Sequence, residues 1–221
     1  MKISERLRVI GDLIPDNSFV LDIGCDHALL DIYIVKKNKN IKAIASDINK
    51  GPLEIAKENV KKYNLENKIN LKQENGLNAY EKGIDTIVLS GLGTTTIIDI
   101  LNKRKKVLKN IKNLVISSNN DYYKLRKSIT DLGFKIQEEK MVHDKNKYYP
   151  VILFVPGIEK YNYYELKFGP LLLKRKDKIF LRYLYETKTK LLKIYNLLED
   201  HHETKKEELQ KDIAFIEKNT L

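Results

Sequence analysis

Apolar and polar positions change rhythm twice along this chain. From residue 19 to 133, short apolar runs alternate with stretches whose apolar residues recur every three or four positions. The runs predict strands and the spacing predicts helices. Strands are expected near 19–23, 41–46, 69–73, 84–89 and 114–117, and helices near 28–37, 51–63, 94–106 and 121–132, with one short helix after the third strand. Ahead of them Ile3, Leu7, Ile10 and Ile14 fall at helical spacing, and Pro15-Asp16-Asn17 ends that helix. Strands separated by helices imply right-handed crossovers and a mostly parallel sheet, whose ligands lie at the carboxyl ends of the strands.

The first change comes after Gly133. Residues 134–142 and 148–155 are β-rich, joined only by the polar linker His143-Asp144-Lys145-Asn146-Lys147, so a closing antiparallel hairpin brings the expected sheet to seven strands. Pro156-Gly157 ends this part. The second change is the loss of strand pattern from residue 170 onward. Leu173, Phe180, Leu184, Leu191, Ile194 and Leu198 share one helical face, and Leu209, Ile213 and Ile216 share another, with the polar break Glu199–Thr204 between them. An antiparallel, coiled-coil-like helical hairpin follows. The expected organisation is therefore an α/β, Rossmann-like domain over 1–157 and a helical arm over 158–221.

Candidate chemistry gathers at the end of the first strand, in Phe19-Val20-Leu21-Asp22-Ile23-Gly24-Cys25-Asp26-His27. Asp47, ending the second strand, follows Gly24 by 23 positions. A glycine turn with an acid about 20 residues on is the arrangement that binds a nucleoside, the acid accepting the ribose hydroxyls. No G-x-G-x-x-G follows, and Asp22 and Asp26 would repel a pyrophosphate. The acidic turn suits a cationic ligand without phosphates, such as S-adenosylmethionine, better than NAD.

Asp22-Ile23-Gly24-Cys25-Asp26-His27-Ala28 resembles the D-I-G-S-D-H-A motif of the bacterial TrmK family, class I S-adenosylmethionine-dependent methyltransferases that methylate N1 of the adenine at tRNA position 22. Asn75-Gly76-Leu77 is similar to that family's D-G-L, Ile48-Asn49-Lys50-Gly51-Pro52 to its segment ending in Gly-Pro, Ser90-Gly91-Leu92-Gly93 to its A-G-M-G, and Phe168-Gly169-Pro170 to its later Gly-Pro. The resemblance spans nearly the whole chain. Departures fall at Gly93-Thr94 in place of Gly-Gly, Ser118-Asn119-Asn120 in place of Q-P-N, and Tyr149-Pro150 in place of Y-E. The resemblance implies a class I methyltransferase fold, S-adenosylmethionine as cofactor, tRNA as partner and the helical arm as a clamp on folded RNA.

Within that frame Asp22 holds the methionine ammonium or caps a helix, Gly24 lets the cofactor approach, and Asp47 takes the ribose. Ile48, Asn75 and Gly76 belong to the expected cofactor site, Asn75 meeting the adenine amino group or forming a surface turn. Asp26 and His27 stand beside both cofactor and substrate. Adenine N1 already carries an in-plane lone pair, so catalysis needs alignment with the methyl donor and a carboxylate, Asp26, for the cationic product. His27 orients the base or Asp26, or serves as a core or capping residue. Ser90 is expected in both cofactor and substrate contacts. Asn119 has the side chain that pairs bidentately with an adenine edge. Tyr148 or Tyr149 is expected to stack on an extruded base, unless it is a core tyrosine.

Composition narrows the partner. The chain has 221 residues, a formal charge of +11 and 42% hydrophobic residues, with no apolar run long enough to span a membrane and no secretory signal pattern at residues 1–8. A cytoplasmic protein is expected. Residues 101–150 hold 13 basic and 5 acidic residues, against 14 and 10 in 160–221, which points to a polyanion-facing surface on the first domain. Only 6 of the 41 basic residues are arginine, so a Lys-rich composition is the competing explanation. One cysteine excludes an internal disulfide, and scattered histidines, including His201-His202, give no metal spacing. A monomer is compatible with all of this. Two other functions remain open at this point: a methyltransferase for a non-RNA substrate, and a noncatalytic RNA-binding module that retains the fold.

Overall fold

The computed structural model describes every residue except Lys2, Lys39, Asp200, His201 and Leu221. The polar break at 199–204 and the His201-His202 pair therefore lie partly outside the described residues. Two compact units divide the chain, Met1–Pro170 and Leu171–Leu221.

In the first unit, α1 (Glu5–Asp12) precedes β1 (Phe19–Ile23), α2 (Leu29–Lys37), β2 (Lys42–Asp47), α3 (Lys50–Lys62), β3 (Ile69–Gln73), β4 (Thr86–Ser90), α4 (Thr94–Lys103), β5 (Asn113–Ser117), α5 (Tyr122–Asp131), β6 (Phe134–Asp144), β7 (Lys147–Pro156) and α6 (Tyr163–Phe168). Short 3-10 turns occupy Gly76–Ala79 and Lys105–Asn110. The strands form one seven-stranded sheet in the order β3-β2-β1-β4-β5-β7-β6. β1 to β5 run parallel, and β7 lies antiparallel between β5 and β6. Between their ends, Asp22 aside, the central strands are apolar because helices cover both faces: Val20, Leu21, Ile87, Val88, Leu89, Leu114, Val115 and Ile116 are fully buried.

Strand order reverses between β1 and β4, and at such a reversal neighbouring crossovers part to leave a crevice. Ile23 pairs with Ser46 and with Leu89, and Ser90 with Ser117. The carboxyl ends of β1, β2, β4 and β5 are therefore level, and their turns open on the same crevice.

The β6–β7 turn is tighter than the five-residue linker expected from polarity. His143 pairs with Tyr148 and Asp144 with Lys147, leaving only Lys145 and Asn146 in the turn, at φ 48° and 60°. Two successive positive φ values match the twist of an antiparallel ribbon, and backbone pairing overrides the polarity of the flanking residues. The first unit also runs beyond Gly157. Asn162 and Glu165 form a capping box that starts α6, and Arg126 of α5 ties α6 to the sheet. Its Nε donates to Glu139 Oε1 on β6 at 2.7 Å and its Nη1 to the Leu166 carbonyl at 3.1 Å, with both charged side chains almost fully buried.

The second unit holds α7 (Pro170–Arg175), α8 (Lys178–Leu197) and α9 (Glu203–Thr220), with α8 packed against α9. Lys176 breaks the helix at φ 51°, and Asp177 restarts it by accepting from Ile179 and Phe180 N–H groups. That break shifts the phase of the apolar pattern. Leu172 is buried where Leu173 was expected, and Ile194 is exposed, while Phe180, Leu184, Leu209, Ile213 and Ile216 are buried.

Candidate active site

The crevice at the strand-order reversal encloses a cavity of about 920 Å³, and every residue expected at the site from the sequence, Tyr148 aside, lines it. At the end of β1 the chain turns through Gly24 at φ +77°, and the Gly24 and Cys25 N–H groups both donate to the Ser46 carbonyl, at 2.8 and 3.0 Å. This strap joins the β1 turn to the end of β2. Asp26 and Ala28 also take positive φ, and Asn59 Nδ2 of α3 donates to the His27 carbonyl at 3.0 Å. The turn is thus held rigidly against α3, with Asp26 72% exposed at the side chain. His27 Nδ1 lies 3.4 Å from Asp26 Oδ1, within ion-pair range, yet makes no hydrogen bond.

Asp22 is buried, and its Oδ1 has no hydrogen-bond donor. Burial, the adjacent Asp31 and then Asp47 push its carboxyl well above the usual range. Asp47 is half-buried at the end of β2; one oxygen accepts from the Asn49 N–H at 2.9 Å, and its second makes no hydrogen bond to described residues. Ile48, 59% exposed, adds an apolar wall. Across from it Asn75 precedes the 3-10 turn, and Gly76 sits at φ +56° with Ile100 so close that a Cβ would lie 3.1 Å from its Cγ2. Burial and the surrounding carboxylates raise the Cys25 thiol, so it is no nucleophile.

The opposite side of the cavity is built by β4, β5, β7 and α1. Ser90 ends β4 and Gly91 follows it, with little side-chain bulk. Asn119 Nδ2 donates to the Gly91 carbonyl at 2.5 Å, and its Oδ1 accepts from Arg6 Nη1 at 3.2 Å. These two bonds fix the orientation of the amide. The Arg6 guanidinium in turn lies 4.5 Å over the Tyr149 ring. Tyr149 lines the cavity, whereas Tyr148, one position along the strand, is buried against His143. Thr94, at the departure from the family's Gly-Gly, is buried and locks the β4 turn to the β5 turn: its N–H donates to Asn120 Oδ1 at 3.0 Å and its hydroxyl to the Asn120 carbonyl.

Sequence reasoning missed Arg6, and it missed the face of α4 formed by Thr96, Asp99, Ile100 and Lys103. The α4 residues recur at helical spacing next to the β4 turn, a signal that was present; Arg6 meets Asn119 across 113 positions and left none. Among described residues, no cluster of His, Cys, Asp or Glu is arranged to hold a metal ion, and no described helix is long and apolar enough to cross a membrane.

A family model described as tRNA (adenine(22)-N(1))-methyltransferase matches residues 20–218. The chain belongs to this family. Its similarity to the Bacillus subtilis tRNA (adenine(22)-N(1))-methyltransferase is 31% identity over 189 residues, covering 82% of this chain and 79% of that protein. The fold is shared with M. capricolum TrmK, solved with S-adenosyl-homocysteine, at TM-score 0.86 and 31% identity over 100% of this chain and 98% of the other. A Streptococcus pneumoniae protein solved with S-adenosyl-L-methionine gives TM-score 0.90 at 28% identity, covering all of both chains. The seven-stranded, mostly parallel sheet expected from the alternation of patterns is thus the family's own.

Proposed function

We propose that this chain transfers the methyl group of S-adenosylmethionine to N1 of adenine 22 in tRNA. The observation that carries the proposal is the acidic floor of the cavity. Asp22, Asp26 and Asp47 line it, Asp22 with an oxygen left without a donor, while the N-terminus of α2 that would receive a pyrophosphate carries Asp31. These residues fit a phosphate-free cation. Asp47 would take the ribose hydroxyls, Asn75 and Gly76 the adenine, and Asp22 the methionine ammonium. S-adenosylmethionine supplies a methyl group activated by a sulfonium.

The chain's own residues then have three tasks. Arg6, Tyr149 and Asn119 hold a flat base against the small Ser90-Gly91 turn, presenting N1 at near-attack geometry. Asp26 stabilises the positive charge that builds on the ring, an interaction that strengthens once the base displaces water from this exposed carboxylate. No general base is needed, since N1 carries no proton when it attacks. Extrusion of the base from the RNA stack is supported by the basic surface beside the cavity: Lys103 ends α4, Lys105, Lys106, Lys109 and Lys112 follow it, and all five are exposed. A tRNA substrate also supports a cytoplasmic location.

The test is incubation with labelled S-adenosylmethionine and an unmodified tRNA transcript, followed by nucleoside mass spectrometry. The expected product is 1-methyladenosine, absent when position 22 is guanosine. No incorporation, under conditions where S-adenosylmethionine binds, refutes the proposal. Asp26→Ala is expected to lower turnover much more than cofactor affinity; wild-type turnover would remove Asp26 from the mechanism.

A further inference from the structure

Behind the acidic floor lies a second carboxylate that is absent from the cavity wall. Asp31 stands in the first turn of α2, fully buried, with its side chain against that of Asp22, itself only 3% exposed. As two carboxylates they offer each other acceptors only. Neither oxygen of Asp31, nor Oδ1 of Asp22, has a donor from any other group. The remaining ionisable groups that act on the pair are Asp47 from β2 and Cys25 from the β1 turn, all of them acids, and no Lys, Arg or His among described residues compensates the pair. Carboxylates in contact and out of water do not both ionise; one proton between them supplies the missing donor. Its place is on Asp22, because the N-terminus of α2, where Asp31 stands in the first turn, favours charge on Asp31.

We propose that Asp22 and Asp31 share one proton in the free protein, and that Asp22 releases it to solvent when the cleft takes up the cationic methionine end of the cofactor. Asp31 is then a positioning residue: it acts through Asp22 and makes cofactor affinity depend on pH. The inference rests on the cofactor reading given above. The balance is simple: the protonated pair and the cation go to the doubly ionised pair bound to the cation, plus one proton taken by buffer. Burial pushes both carboxyls up, Asp22 well above the usual carboxylate range, so the pair still holds a proton at near-neutral pH and the cation displaces it there. There S-adenosylmethionine affinity rises with pH, by up to about tenfold per unit where a full proton is released.

The experiment is titration calorimetry of the full chain with S-adenosylmethionine at pH 6.5, in buffers that differ in ionisation enthalpy, repeated for Asp31→Asn. The wild type is expected to release close to one proton per site. In Asp31→Asn the amide can donate to Asp22 and the neighbouring charge is gone, leaving burial and Asp47 to raise the Asp22 carboxyl, so the release falls well below the wild-type value and the affinity changes less with pH. A residue that merely fills the core would leave proton release untouched. Binding by the wild type without proton release overturns the proposal and leaves the cofactor reading standing. Release that is undiminished in Asp31→Asn also overturns it. Absence of binding overturns the cofactor reading itself. Should Asp31→Asn fail to fold, the wild-type buffer series alone decides.

Discussion

Asp47→Ala removes the acceptor proposed for the cofactor ribose and nothing else of substance from the fold. One carboxylate oxygen is already engaged by the Asn49 N–H at 2.9 Å, and the second is left for ligand. A hydrogen bond to an ionised acceptor contributes about 1.5–3 kcal/mol net. Two ribose hydroxyls on one half-buried carboxylate, one of whose oxygens is shared, should together contribute about 2–4 kcal/mol, so the dissociation constant for S-adenosylhomocysteine should rise about 30- to 1000-fold. Asp47→Asn keeps an oxygen acceptor without the charge and should fall between the two. Calorimetric titration with S-adenosylhomocysteine measures both, and circular dichroism confirms that the variants fold. A folded Asp47→Ala protein that binds within about twofold of wild type, a change of only ~0.4 kcal/mol, would refute the assignment of this carboxylate to the ribose.

Three further outcomes are expected. Arg6→Ala frees the Asn119 amide and the Tyr149 ring, so turnover on tRNA should drop about 10- to 100-fold with cofactor affinity little changed, and Arg6→Lys should not restore it, because an ammonium lacks the planar fork; wild-type turnover in Arg6→Ala would show that the base is held elsewhere. Glu139→Leu strands the buried Arg126 guanidinium and should cost about 3–5 kcal/mol, lowering Tm by about 6–20 °C, whereas Arg126→Met combined with Glu139→Leu should recover much of that loss; a small shift in the single variant would mean that the pair is better solvated than its burial indicates. The free protein should lose stability as pH rises from about 4 toward about 7, because Asp22 and Asp31 have pKa values raised above the unfolded carboxylate range and so stabilise the fold only while protonated. Asp31→Asn should reduce that loss, its Tm advantage over wild type growing between pH 5 and pH 8; an advantage that does not vary with pH would contradict the shared proton.

The half of the cavity proposed for the cofactor was legible because it is local. Asp22, Gly24 and Asp47 sit at ends of apolar runs, and strand ends are where a parallel sheet exposes its turns. The half proposed for the substrate is assembled from β4, β5, β7 and α1, and the sequence announces its members unevenly. Ser90 and Asn119 follow apolar runs and were visible; Tyr149 was visible only as one of two neighbours, until strand alternation turned Tyr148 into the core. Arg6 sits on what reads as the polar face of a short amphipathic helix, and only the tertiary fold carries it to Asn119. Asp31 was illegible for a different reason. An acid in the first turn of a helix ordinarily faces solvent, but α2 is buried through Leu30, Asp31, Ile32, Ile34 and Val35, so almost its whole circumference is enclosed. In the second unit the apolar positions predicted helices correctly, while their phase slipped at Lys176, where a single positive φ interrupts the helix.

The central claim is that the cleft where β1 and β2 end binds a phosphate-free, cationic adenosine donor. A crystal structure of the chain soaked with S-adenosylhomocysteine tests it most directly. The ribose hydroxyls are expected on Asp47, the adenine beside Asn75 and Gly76, and the amino group at Asp22, with the sulfur facing Asp26. An empty cleft under saturating ligand, or a dinucleotide seated in its place, would contradict it.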